Sequence, residues 1–107
     1  MPRSRFQALT EQMFYILLCL RFESCGMDIM DQVQDISGGR VSVGPGTVYN
    51  LLEQFLSAGM IKQTKAEGRR KSYILTDKGM AVLTQEYQRL SAQIRDYQDI
   101  LGKERDQ

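Results

Sequence analysis

Seven large apolar side chains near the C-terminus, Met80, Leu83, Tyr87, Leu90, Ile94, Tyr97 and Leu101, follow one another at intervals of three, four, three, four, three and four residues. That rhythm describes a helix whose apolar stripe is only two side chains wide per heptad. Such a stripe is narrower than the face that covers a globular core and suits a groove against another helix. Thr76 and Asp77 in front of it supply capping chemistry, so the spacing predicts one long helix reaching about Gly102. A chain of 107 residues with 42% hydrophobic content supports one modest core. A helix this long has little of its own body to lie on, and the seam is expected to meet a second copy of the chain, giving a homodimer. Docking of the seam within its own chain is the other reading, and it stays open.

Upstream, Thr10 and Glu11 precede the run Met13, Phe14, Ile16, Leu17, Leu18 and Leu20, which reads as an N-capped first helix that is apolar on most sides. It is the other element with apolar surface to spare, and it is expected to sandwich the seam of the partner chain. Glu23-Ser24-Cys25-Gly26 breaks it as a loop, and Ile29, Met30, Val33 and Ile36 mark a second helix that ends at Ser37-Gly38-Gly39. Val41-Ser42-Val43 has room for a short strand. Pro45 suits the first turn of a third helix running to about Ala58, with Val48, Leu51, Leu52, Phe55 and Leu56 as its core stripe and Gly59 as its stop. Thr47, Asn50, Gln54 and Ser57 share the opposite face, with Glu53 beside them and Tyr49 at its edge. Ile61–Lys65 and Lys71–Leu75 then read as a hairpin whose turn carries Gly68. Residues 1–75 therefore form the body and residues 76–107 the long helix, while Met1–Arg5 and Lys103–Gln107 are polar ends expected to fray.

Charge is informative only locally. Of 14 cations and 13 anions, five cations (Lys62, Lys65, Arg69, Arg70, Lys71) and one anion (Glu67) fall between positions 62 and 71. There is no histidine, which removes the commonest general base and a frequent metal ligand. No Gly-rich phosphate loop follows a strand, and no pair of carboxylates suggests a cleft, so an enzyme, a metal site and a cofactor are not expected. Cys19 lies in the apolar run and reads as core packing. Cys25 reads as a loop residue, with a redox role as the weaker reading. The longest apolar run, Met13–Leu20, is far short of the roughly 20 residues a bilayer span needs, and no signal segment is apparent. A cytoplasmic, nucleoid-associated protein with no membrane partner is expected.

Helix, helix, short strand, helix, hairpin is the order of a helix-turn-helix with a β-hairpin wing, a mainly α fold class. In such a body the polar face of the third helix enters the major groove of double-stranded DNA while the wing tip meets phosphates or the minor groove. Thr47, Tyr49, Asn50 and Gln54 offer hydroxyl and amide groups for base edges, and the helix start at Gly46 and Thr47 offers free amides to a phosphate. Lys65, Arg69, Arg70 and Lys71 supply wing charge.

Gly44-Pro45-Gly46-Thr47-Val48-Tyr49, Gly59-Met60-Ile61 and Glu67-Gly68-Arg69-Arg70-Lys71-Ser72-Tyr73-Ile74-Leu75-Thr76 resemble the PadR-like repressors. Leu9-Thr10-Glu11-Gln12-Met13 and Tyr15-Ile16-Leu17 are similar as well, so the resemblance spans nearly the whole chain and fits the short form with a single C-terminal helix. It implies a winged helix, a dimer formed through that helix, binding to operator DNA, and in many members release by a small molecule or stress signal. The chain departs from the family pattern at Gln54, where a basic residue is common, and at Met27, where an aromatic often follows the glycine. The first departure shifts affinity onto the wing. Met13, Phe14, Tyr87, Leu90, Ile94 and Tyr97 are the candidate lining of a pocket for a small hydrophobic effector between subunits, with a closed zipper as the rival reading. A winged-helix module that binds a protein through its uncharged third-helix face is the alternative function.

Overall fold

The computed structural model describes residues 8–105, so the expected fraying of Met1–Arg5 lies outside the described residues. Helix α1 spans Glu11–Cys19, β1 Ser24–Cys25, α2 Gly26–Ile36, α3 Pro45–Ser57, β2 Ile61–Glu67, β3 Arg70–Leu75 and α4 Asp77–Arg105. Thr10 caps α1, its hydroxyl accepting from the Met13 amide. Ile16, Leu17 and Leu20 are fully buried while Met13, Phe14, Tyr15 and Leu18 pack against the core, so this helix is covered on several sides as expected. Its last turn, Ile29 and Val33 of α2, and Val48, Leu52 and Phe55 of α3 make the centre of the body. Ile36, expected in the α2 stripe, is exposed because α2 ends there.

The third strand is not where the alternation at Val41-Ser42-Val43 placed it. Val41 and Val43 are buried and Ser42 is exposed, yet no ladder forms. Side chains satisfy that backbone instead: Ser37 Oγ accepts from the Val41 amide at 3.0 Å and Gln12 Nε2 donates to the Ser42 carbonyl at 3.3 Å. Ser24–Cys25, expected as loop, forms the strand that pairs antiparallel with β3, with Ser24 opposite Tyr73 and Cys25 opposite Ser72. The sheet order is β1-β3-β2. Cys25 is thus buried rather than on a loop, and Cys19 is core, its thiol pushed up to about 11 by burial. Both are free cysteines.

The exit of α3 and the root of α4 are locked together. Gly59 has φ +74°, and the Met60 and Gly59 amides donate back to the Phe55 and Leu56 carbonyls at 2.9 and 3.0 Å, a Schellman closure. Thr76 Oγ1 donates to the Gly59 carbonyl at 2.6 Å and accepts from the Gly79 amide at 3.2 Å, so one hydroxyl fastens α3's turn and caps α4. The Met60 carbonyl and a Leu75 methyl sit where a Cβ on residue 79 would be, a space only glycine leaves open. The direction of α4 is therefore set by α3.

Helix α4 has 29 residues and is about 43 Å long at 1.5 Å per residue. The Cα radius of gyration is 16.3 Å, against about 13 Å for a compact chain of this length. The excess is the distal half of α4, which continues through Arg105 where fraying from Lys103 was expected. Near the root, Glu86 is buried. It accepts from Arg89 at 2.6 and 2.7 Å and from the Leu9 amide at 3.2 Å, tying α4 to the entry of α1.

The Arg89 hydrogen bonds, and then the Leu9 amide, hold the Glu86 carboxyl below its usual value of 4.5. A carboxyl depressed on folding stabilises the chain above its unfolded value, and that contribution is lost as the pH falls through the folded one. Glu86→Gln is expected to lower stability by about 1.5–3 kcal/mol at pH 7, the usual range for hydrogen bonds to a charged group. The loss should shrink below about pH 4.5, and denaturant melts at pH 7 and pH 3.5 compare the two. An equal difference at both pH values would refute the assignment.

Candidate nucleic-acid interface

Helix α3 and the β2–β3 hairpin lie side by side on one face. Gly44 is the N-cap of α3 without a side-chain cap bond, and Pro45 occupies the first turn. The amides of Gly46 and Thr47 thus open the helix without an internal partner. Along the outward face Gly46, Tyr49, Asn50, Glu53 and Ser57 are exposed, whereas Thr47 and Gln54 are half-buried. The face is therefore rotated by part of a turn from the sequence expectation, and Glu53 sits within it instead of beside it. The core stripe is satisfied by Val48, Leu51, Leu52 and Phe55, while Leu56 is only partly buried, and this tilt turns Gln54 inward.

The wing strands run further toward the tip than the sequence expectation, β2 by two residues and β3 by one. Glu67 pairs with Arg70 around the two-residue turn Gly68-Arg69. Only Gly68 has a positive φ, +62°, the pattern of a turn with glycine at its first central position. A register shift between Gln63 and Lys65 bulges β2 at Thr64.

Two of the wing cations are already engaged. Arg70 Nη2 lies 3.7 Å from Asp28 Oδ1, and its Nε donates to Cys25 Sγ at 3.4 Å. Lys65 Nζ lies 3.5 Å from Glu23 Oε1. The Thr64 hydroxyl, followed by Lys65, lowers the Glu23 carboxyl from its usual value. Arg69 and Lys71 are exposed and, among the described residues, have no carboxylate within ion-pair distance. Sequence reasoning grouped Lys65, Arg69, Arg70 and Lys71 as equivalents and missed this division. The partner carboxylates lie some 40 residues away and become neighbours only through the β1–β3 pairing.

The α4 seam is divided as well. Met80, Tyr87, Ile94, Tyr97 and Leu101 are exposed, Tyr87 and Tyr97 to 63% and 67%, and Leu90 is half-buried. Leu83, only 7% exposed, belongs to the chain's own core. The stripe starts on the body and leaves it at Leu90. Ile100, outside the strict rhythm, widens the exposed stripe at its far end. Of the candidate effector residues, Phe14 and Leu90 line a cavity of about 200 Å³ with Leu9, Tyr15, Glu86 and Arg89. Met13 packs on the core, while Tyr87, Ile94 and Tyr97 stand on open helix surface.

The family model of the transcriptional regulator PadR-like family matches residues 16–85, from within α1 to the root of α4. The chain belongs to this family. A PadR-family transcriptional regulator from Eggerthella lenta shares 26% identity and a TM-score of 0.62 over 85% of this chain and 78% of that one. Bacillus subtilis PadR, solved in complex with operator DNA, shares 28% identity and a TM-score of 0.59 over 67% of this chain and 44% of that one. The transcriptional activator GvpE2 of Halobacterium salinarum is 29% identical over 72 residues, 67% of this chain. The PadR-like chain spans only 36% of that relative's length. No helix among the described residues is long and apolar enough to cross a membrane.

Proposed function

We propose that two copies of this PadR-like chain bind a double-stranded DNA operator sequence-specifically and regulate transcription, as a repressor. The observation that carries the reading is the juxtaposition, on one face, of an exposed polar α3 strip with the uncompensated cations Arg69 and Lys71. Asn50 and Tyr49 offer hydrogen bonds to base edges, the open amides at Gly46 and Thr47 receive a phosphate, and the wing holds the backbone. A dimer through α4 repeats this face along one duplex. Because Thr76 and Gly79 lock α4 to the exit of α3, the crossing of the two long helices sets the spacing of the two reading faces.

A small hydrophobic effector or a stress signal acts, in this reading, by altering that crossing. The 200 Å³ hollow beside Phe14 and Leu90 is smaller than a usual ligand pocket, so the partner's seam must complete it. Selection of genomic fragments with purified protein tests the function. Enrichment of discrete sites that shift with the dimer supports it, and retention of no fragment in dilute buffer removes it. One stoichiometric protein partner without DNA enrichment would favour the interaction-module reading, to which the exposed Glu53 on the α3 face lends weight.

Asp28 and Glu23 act as internal stand-ins for phosphate. Asp28→Asn frees Arg70 in both wings, and binding is expected to tighten with a salt dependence steeper by about 1.8 log units per log unit of salt, at 0.9 for each phosphate contact. Electrophoretic shifts between low and moderate salt measure it. An unchanged or shallower slope would mean that Arg70 is structural.

A further inference from the structure

One hollow lies neither on the α4 seam nor beside α1. It lies on the α3 and wing face, between the first turn of α2, the outer side of α3 and β3, with a volume of about 640 Å³. That size is well inside the range of small-molecule sites. We propose that this groove binds a small amphipathic organic anion, with its apolar body on Met27, Tyr49 and Tyr73 and its charged head at Arg69 and Lys71, and that such a ligand competes directly with DNA.

Three observations carry the assignment. The floor is apolar and built. Met27 is 63% exposed there, and the Tyr49 ring lies so close to the first turn of α2 that a Cβ on Gly26 would come within 2.6 Å of Tyr49 Cε1. A phosphate has no apolar group to place on that floor, whereas an organic ligand has. Second, Tyr73 lines the groove, and because no described side-chain polar atom is buried without a partner, its unpaired hydroxyl is open rather than closed off. Tyr73 lies with Tyr49 and Glu53 among the residues of the groove, and burial, followed by those two neighbours, raises its pKa. That hydroxyl is open to a polar atom of a ligand in the groove, as donor or acceptor.

Third, charge is arranged asymmetrically around the opening. Arg69, Arg70 and Lys71 form the wing side and Glu53 the α3 side. With Arg70 held by Asp28, an anionic head is drawn to Arg69 and Lys71 and kept away from Glu53. Asn50 also borders the groove. An occupant would therefore cover Tyr49, Asn50, Arg69 and Lys71 without any change in subunit spacing. The competition rests on the DNA-binding reading above; the binding of the anion does not.

Anilinonaphthalenesulfonate, a planar apolar body with one sulfonate, is a suitable probe, titrated by fluorescence into the full-length protein with neutral anilinonaphthalene as comparison. The expected result is saturable binding of the sulfonate, at least tenfold weaker binding of the neutral compound, and displacement of the dye by duplex DNA. Met27→Glu, at an exposed position, should weaken the dye at least tenfold, and Arg69→Gln with Lys71→Gln should do the same without touching the core. Ile94→Asp on the distal seam should not weaken it. Full dye binding by Met27→Glu, or its loss in Ile94→Asp, would overturn the assignment in favour of the seam. A protein that binds dye but no DNA keeps this site and loses the function proposed above. One that binds DNA but no dye loses this site alone.

Discussion

Replacing Arg69 and Lys71 together by alanine is expected to reduce the salt dependence of operator binding by about 3.6 log units per log unit of salt. The figure follows from two uncompensated cations on each of two wings, at about 0.9 for each phosphate neutralised. Between 50 and 200 mM salt the parent protein should then lose about a hundredfold more affinity than the variant. The two side chains are exposed and, among the described residues, have no ion-pair partner, so the fold does not depend on them and melting should be unaffected. Arg70→Ala and Lys65→Ala should each change the slope less, since their partners Asp28 and Glu23 already offset them. A parallel salt dependence in the double variant would show that the wing does not meet the backbone.

The second large effect concerns assembly. Beyond Leu90, α4 carries Ile94, Tyr97, Ile100 and Leu101 on open surface, and Tyr87 precedes them on the same side. Burying a side chain of this kind is worth about 1.5–3 kcal/mol, and in a two-fold interface each position counts twice. Ile94→Asp removes two such burials and brings one carboxylate from each subunit into the seam. The dimer is expected to loosen by at least a thousandfold, about 4 kcal/mol, seen as a monomer in sedimentation at micromolar concentration. Operator affinity should fall with it, because one subunit reaches one half-site. Leu83→Ala, by contrast, should lower the melting temperature of the subunit itself, since that side chain belongs to its core. Dimers that survive Ile94→Asp would place the subunit contact elsewhere.

Much of the fold was legible because its signals are local. Thr10 and Thr76 cap the helices they precede, Gly59 stops α3 and Gly68 turns the wing, each through chemistry within a few residues. Where strands are very short, local pattern is a poor guide. Val41-Ser42-Val43 alternates like a strand but has its backbone bonds supplied by Ser37 and Gln12, while Ser24–Cys25 shows no alternation and pairs because β3 has an open edge beside it. The candidate site followed the same division. Residue types and their clustering near position 70 were visible in the sequence, but which cations remain uncompensated was not.

The amino-acid order alone determined the succession of the four helices, most of their apolar positions and the basic hairpin, since periodicity and turn chemistry act over less than two helical turns. Tertiary structure alone decided that Leu83 leaves the seam for the core, that Glu53 enters the α3 face, and that Asp28 and Glu23 reach the wing. It also decided that Tyr49 and Tyr73 enclose a groove. These outcomes depend on the rotation of each helix about its axis and on pairings between residues some 40 positions apart. Both are settled by how the whole core packs, and no short window of sequence contains that information.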